Sequence, residues 1–215
     1  MRFLTILAAL LFSLQTAHAA DDAALYDPAP PADSAFVRVI NAAEGGPVDV
    51  SLGANSFSKV AFPGISAYQI VPQGAHSAKL GGDETDLTIT AGKYYSLAVV
   101  EKDGKKEIVQ IEDPQIKNPA KALITFYNLS DAPAAALYAA AQKADIFPAV
   151  KTGDKASREV NALTIDVAVK DAEGKEVSSF KGIELKRKSG VNFLLAGNGA
   201  AKKAIMAASE VASKK

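Results

Sequence analysis

The chain has 215 residues, with 24 basic and 24 acidic side chains and a formal net charge of zero at pH 7. That balance leaves no global field for capturing nucleic acid or a membrane surface. The lack of any cysteine excludes thiol catalysis, thiolate metal sites and disulfides, so the fold must be held by ordinary packing.

Residues 1–19 read as a cleaved signal peptide. Arg2 supplies the positive start, residues 3–14 are apolar, and Ala17 and Ala19 flank His18 at the positions a signal peptidase reads. The apolar run is short for a bilayer span, and no cysteine is present to take a lipid anchor. The expected mature chain therefore begins near Ala20 and is exported, which suits a bacterial periplasm as well as a secreted fate. Residues 20–34 form a Pro-rich extended tail. Pro28, Pro30 and Pro31 forbid a helix and favour polyproline geometry. Leu25 and Tyr26 are large and apolar in this otherwise polar stretch, so Leu25, Tyr26, Pro28, Pro30 and Pro31 are the candidate partner-binding residues.

The remaining chain repeats itself. Residues 35–41 (AFVRVIN) are echoed at 122–128 (ALITFYN), and residues 91–100 (AGKYYSLAVV) at 188–196 (KSGVNFLLA). A proline-containing break follows each of the first pair, and a turn with a Lys-Lys pair follows each of the second. The pattern predicts an all-β protein of two similar antiparallel β-sandwich modules in tandem, residues 35–113 and 121–215, joined by a short linker at 114–120 that holds Pro114 and Pro119. In the first module, strands are expected at 36–40, 48–52, 67–71, 76–80, from 87, at 94–102 and at 107–112, with turn signals every 8 to 12 residues. In the second, residues 132–144 are alanine-rich and favour a helix by propensity. The repeat places them opposite 48–53 and predicts a strand. Residues 200–211 pose the same conflict and are resolved the same way, as a final strand with a frayed tail at 213–215. Residues 161–169 and 176–180 should form a hairpin around 172–175.

Catalytic chemistry is poorly supplied. Once His18 leaves with the signal, His76 is the sole histidine, and no Gly-x-Ser-x-Gly elbow accompanies it. His76 reads as a strand-edge residue, and no catalytic, cofactor-binding or metal-ligating residues are assigned. The loop 81–86 offers three carboxylates without the spacing of a calcium loop. Adjacent Tyr94 and Tyr95 must point to opposite faces of a strand, so one should face outward. Lys186, Arg187 and Lys188 read as a solvated basic edge.

Residues 25–31 (LYDPAPP), 36–42 (FVRVINA), 62–66 (FPGIS) and the duplicated β-rich body together resemble the AlgF family of alginate biosynthesis proteins across the mature chain. The resemblance implies a periplasmic, non-catalytic adaptor of the alginate O-acetylation machinery that needs no cofactor. Its implied partners are the periplasmic alginate O-acetyltransferases and the membrane O-acyltransferase, with acidic polysaccharide as a further, weak contact. The alternative is a polysaccharide-binding module that presents the acidic polymer to an acetyltransferase. An acyl-transferring enzyme based on His76 and a two-sandwich pilus chaperone are more distant readings.

Overall fold

The computed structural model describes residues 30–212, and they fold into seventeen strands. The first nine are β1 (Ser34–Asn41), β2 (Val48–Leu52), β3 (Asn55–Val60), β4 (Gly64–Ile65), β5 (Gln69–Pro72), β6 (Gly74–Leu80), β7 (Asp83–Ile89), β8 (Tyr94–Lys102) and β9 (Lys105–Asp113). The other eight are β10 (Lys121–Ser130), β11 (Ala134–Ala139), β12 (Ala144–Lys151), β13 (Lys155–Asn161), β14 (Leu163–Lys170), β15 (Glu176–Leu185), β16 (Gly190–Gly197) and β17 (Lys203–Ala208). A 3-10 turn, Gly199–Ala201, precedes β17. Among the described residues no helix is long and apolar enough to cross a membrane.

The strands form four sheets. In the first module an outer sheet, β3-β2-β6-β7, faces an inner sheet in which β4 and β5 share one edge of β1 and β8 and β9 follow. The second module repeats that order, with an outer sheet β12-β11-β14-β15 and an inner sheet β13-β10-β16-β17 in which β13 alone takes the edge that β4 and β5 share in the first. The expected antiparallel pairing holds throughout the described sheets except at β1·β8 and β10·β16, which are parallel. A parallel pair needs a long crossover, and in each module the crossover is the outer sheet itself.

Each module has its own core. Val37, Val39, Leu52, Phe57, Val71, Leu97 and Val99 belong to the first; Ile124, Phe126, Leu137, Val167, Val169, Phe193 and Leu195 belong to the second. The alternation of side chains along a strand then decides the rest. On β1, Ala35, Val37 and Val39 point into the module, so Arg38 and Ile40 point away from it. On β10 the same rule sends Leu123, Tyr127 and Leu129 outward. These outward faces meet each other. Ile40, Ala42, Ala98, Tyr127, Leu129, Leu194 and Ala196 form a third buried cluster, with Phe62 and Ile111 packed against it. The two inner sheets thus lie face to face, giving four sheet layers in all. That is why β10 and β16 are buried along their whole length, as strands covered on both faces are.

The repeat shows in side-chain detail. Asn41 Nδ2 donates to the Gly46 and Val60 carbonyls, both at 3.0 Å, and its Oδ1 accepts from Ala43 N at 3.2 Å. Asn128 Nδ2 donates to the Ala132 and Val150 carbonyls, both at 2.9 Å, and its Oδ1 accepts from Ser130 N at 3.4 Å. Each buried amide pins the loop that carries the chain from inner to outer sheet. The alanine-rich stretch is a strand, β11. Ala135, Leu137 and Ala139 point into the core there, and packing overrides propensity. Residues 203–208 are likewise a strand, while 213–215 lie outside the described residues.

Candidate functional site

The outward face of β1 carries one charge among apolar residues, and that charge organises the junction between the modules. Arg38 is 1% exposed. A lone buried guanidinium would be prohibitively unfavourable, and here it is met from both modules. Arg38 Nε donates to Ser96 Oγ at 2.8 Å, while Nη2 donates to Tyr127 OH at 2.8 Å and to Asn192 Oδ1 at 3.2 Å. Asp113, the last residue of β9, pairs with it at 3.4 Å. The Asp113 carboxylate also accepts from Ser96 Oγ at 2.6 Å, Tyr68 OH at 2.7 Å and Tyr127 OH at 2.6 Å. Arg38, Ser96, Asp113 and Tyr68 belong to the first module, and Tyr127 and Asn192 to the second. The guanidinium lies over the Tyr68 ring, 4.5 Å from its centroid, while Nη1 has no hydrogen-bond partner among the described residues.

The electrostatics follow from this closure. Burial pushes the Tyr68 and Tyr127 phenols far above their ordinary range, more than the nearby Arg38 charge lowers them. For Arg38, burial works against the charge, but Tyr127, Asp113 and Tyr68 outweigh it and hold the group above its ordinary value. Apart from Arg38 Nη1 the polar groups of the constellation are paired, and all of its side chains are buried from solvent. Its chemistry is that of a lock between two domains.

Further ties reinforce it. Asn198 N donates to Glu44 Oε1 at 2.7 Å across the junction. Gly197 has φ +87, and a Cβ there would stand 2.8 Å from the Ala201 carbonyl of its own module, so the turn requires glycine, while Phe62 of the first module packs 3.0 Å from the same position. The final described segment returns to the first module, where Tyr68 N donates to the Glu210 carbonyl at 2.8 Å and Ala212 N to the Tyr68 carbonyl at 2.7 Å. The linker, residues 114–120, is held by Glu159 of β13, whose Oε1 accepts from the backbone amides of Lys117 and Asn118.

Two depressions flank the linker. One, of about 410 Å3, is walled by Tyr68, Tyr94, Ile116, Leu123 and Val211, with Lys188 on its rim. The other, of about 600 Å3, is charged, with Lys93, Glu112, Lys117, Arg158 and Glu159 around it. Tyr94 therefore faces the first depression, while its neighbour Tyr95 belongs to the core of the first module.

His76 lies far from this junction, on β6 of the outer sheet. Its Nε2 is 2.8 Å from the Pro72 carbonyl, which can only accept, so Nε2 carries the proton. Gly81 and Gly82 turn the β6–β7 hairpin, so the carboxylates expected in a loop, Asp83, Glu84 and Asp86, lie on β7 instead, with Glu84 bonded by Ser77 and paired with Lys79 at 2.8 Å. Among the described residues no group of three or more His, Asp or Glu is placed to hold a metal ion. Leu25, Tyr26 and Pro28 lie outside the described residues. Pro30 and Pro31 are exposed, just ahead of β1.

Sequence reasoning passes over Arg38 and Asp113. One signal was available: β1 is apolar at every other position from 35 to 40, and a single arginine in a strand with two apolar faces marks a buried ion-pair partner elsewhere.

The family model described as alginate O-acetyl transferase AlgF matches residues 8–191. An alginate biosynthesis protein AlgF of Pseudomonas fluorescens is 34% identical over 180 residues, covering 84% of this chain and 80% of that protein. One of Pseudomonas putida is 31% identical over 210 residues, covering 98% and 95%. A solved C-terminal domain of AlgF from Pseudomonas aeruginosa is 27% identical and covers 41% of this chain and 98% of that domain, with a TM-score of 0.37.

Proposed function

This chain belongs to the alginate O-acetyl transferase AlgF family, and from that premise we propose that it is a periplasmic, non-catalytic adaptor of the O-acetylation machinery, holding acetyl-handling and polymer-handling partners together. The observation that carries this reading is the use to which the inner sheets are put. They are spent on locking the modules to each other, through the Arg38–Asp113 constellation and the apolar cluster around Tyr127. The two outer sheets are then left on opposite sides of one stiff body. Such a body presents two separate surfaces at a fixed spacing, which is what an adaptor between two enzymes requires. The exported leader expected at 1–19 supports a periplasmic location.

Charge substitutions confined to one outer sheet at a time test the reading. Ser51→Glu with Thr88→Glu on the first module, and Thr164→Glu with Lys181→Glu on the second, should each remove a different partner from a pull-down of periplasmic and membrane proteins. Polymer acetylation in cells should fall in both cases. Saturable binding of acidic oligosaccharide by the purified chain, with both pull-downs unchanged, would favour the polysaccharide-binding alternative. Loss of acyl-ester hydrolysis by the isolated chain on His76→Ala would favour an enzyme.

A further inference from the structure

We infer that the 410 Å3 groove between the modules is the seat of the apolar start of the chain's own Pro-rich segment, Leu25 and Tyr26, with the exposed Pro30 and Pro31 as its tether. The inference does not rest on the adaptor reading. The groove has the chemistry for it. Tyr68 and Tyr94 meet edge to face at 5.1 Å, Phe36 stacks on Tyr94 at 4.4 Å, and Ile116, Leu123 and Val211 complete an aliphatic wall. Aromatic-lined troughs take proline-rich extended segments, because polyproline geometry is already stiff and loses little entropy when it docks.

The place where the described chain begins points the same way. Ser34 N and Oγ both donate to the Pro31 carbonyl, at 3.1 and 2.6 Å, closing a turn immediately ahead of β1. Phe36, two residues on, is the β1 partner of Tyr94. Turn, strand and inter-strand spacings then put Pro31 within about 18 Å of Tyr94. Five residues of polyproline chain, from Tyr26 to Pro31, cover about 16 Å before the tyrosine ring is added. Leu25 and Tyr26, the two large apolar side chains of the segment, therefore reach an apolar trough. Charge agrees as well. Residues 20–34 contain Asp21, Asp22, Asp27 and Asp33 and no basic residue. The groove's rim offers Lys188, which forms no ion pair among the described residues.

The cysteine-free chain allows a direct test. In the mature protein, Ala29→Cys is combined with Ser189→Cys in the groove, or with Ser58→Cys on the outer sheet of the first module as control. Under mild oxidation the groove pair should form an intramolecular disulfide at least tenfold faster than the control pair. Adding Leu25→Ser and Tyr26→Ser should remove that advantage. Equal rates for the two pairs would overturn the inference. So would disulfides that form only between molecules, which would mean that a second copy's segment takes the groove, or acceleration that persists without Leu25 and Tyr26.

Discussion

Arg38, in the middle of β1, and Asp113, the last residue of β9, meet across the intervening strand β8 at 3.4 Å, with 1% of each side chain exposed to solvent. Tyr127, from the other module, donates to the carboxylate and accepts from the guanidinium. One ion pair thus stabilises both a sheet and a domain junction. Removing one partner of a buried pair strands the other charge, at about 3–5 kcal/mol. Arg38→Met and Asp113→Asn should each lower stability by that order in denaturant unfolding. The double variant should lose clearly less than the two single losses together, because neither charge is then left alone. Simple additivity would show that the two groups do not act as a pair.

The same closure makes the protein sensitive to alkali. Burial raises the phenols of Tyr68 and Tyr127 far above their ordinary value of 10.0. Above pH 10 the unfolded chain releases these protons and the folded one keeps them. The stability linked to them is complete below pH 10 and falls as pH rises, by about 1.4 kcal/mol per pH unit for each tyrosine. Denaturant midpoints between about pH 9 and pH 11 should show this decline, and Tyr127→Phe should make it shallower, with the raised Tyr68 and Tyr94 phenols left to contribute. A profile as steep in the variant as in the parent would mean that other groups govern it.

Asn41 and Asn128 should behave as one residue used twice. Each amide satisfies two carbonyls and one backbone N–H in a closed loop. Leaving a buried polar group unpaired costs about 1–3 kcal/mol, so Asn41→Ala and Asn128→Ala should each destabilise by several kcal/mol and to a similar extent. Thermal unfolding measures both. A large effect at one site and none at the other would contradict the equivalence.

That equivalence was legible because an asparagine ending an apolar run is conspicuous, and the repeat also settled the alanine-rich β11 against its helix propensity. The edge strands were not legible. In β3 only Phe57 and Val60 are buried, and β13 carries Lys155, Arg158 and Glu159, so neither gives a continuous apolar signal. The junction was half legible. Arg38 stands out in β1, but its pairing with Asp113 depends on the β1-β8-β9 order. Its contact with Asn192 depends on two sheets meeting face to face, and local pattern encodes neither.

His76 supplies a control on the proposed non-catalytic role. It sits on the outer sheet with its Nε2 proton directed to the Pro72 carbonyl, a poor arrangement for taking a proton from a substrate. Loss of a general base typically lowers a rate by factors of 100 to 10,000 (on the order of). Polymer acetylation in cells should stay within about threefold of the parent for His76→Ala. A near-null phenotype from a stably folded variant would overturn the non-catalytic reading.

The linker gives a last prediction, on the acid side. Glu159 Oε1 receives the backbone amides of Asn118 and Lys117, and these bonds hold its carboxyl below the ordinary value of 4.5. A carboxyl depressed in the fold contributes stability that is present above its unfolded pKa and lost as pH falls through the folded one. The clamp should therefore be intact at neutral pH and released only as pH falls below the ordinary value of 4.5. Because Glu159 lies at the surface, its release should loosen the linker locally without unfolding either core. Amide hydrogen exchange at Lys117 and Asn118 should be slow at pH 7 in the parent and much faster in Glu159→Ala. Glu159→Gln keeps an acceptor oxygen but no charge, so its protection should be intermediate and should lack the parent's loss on acidification. Equal protection of these amides in parent and Glu159→Ala would mean that the prolines at 114 and 119 hold the linker by themselves.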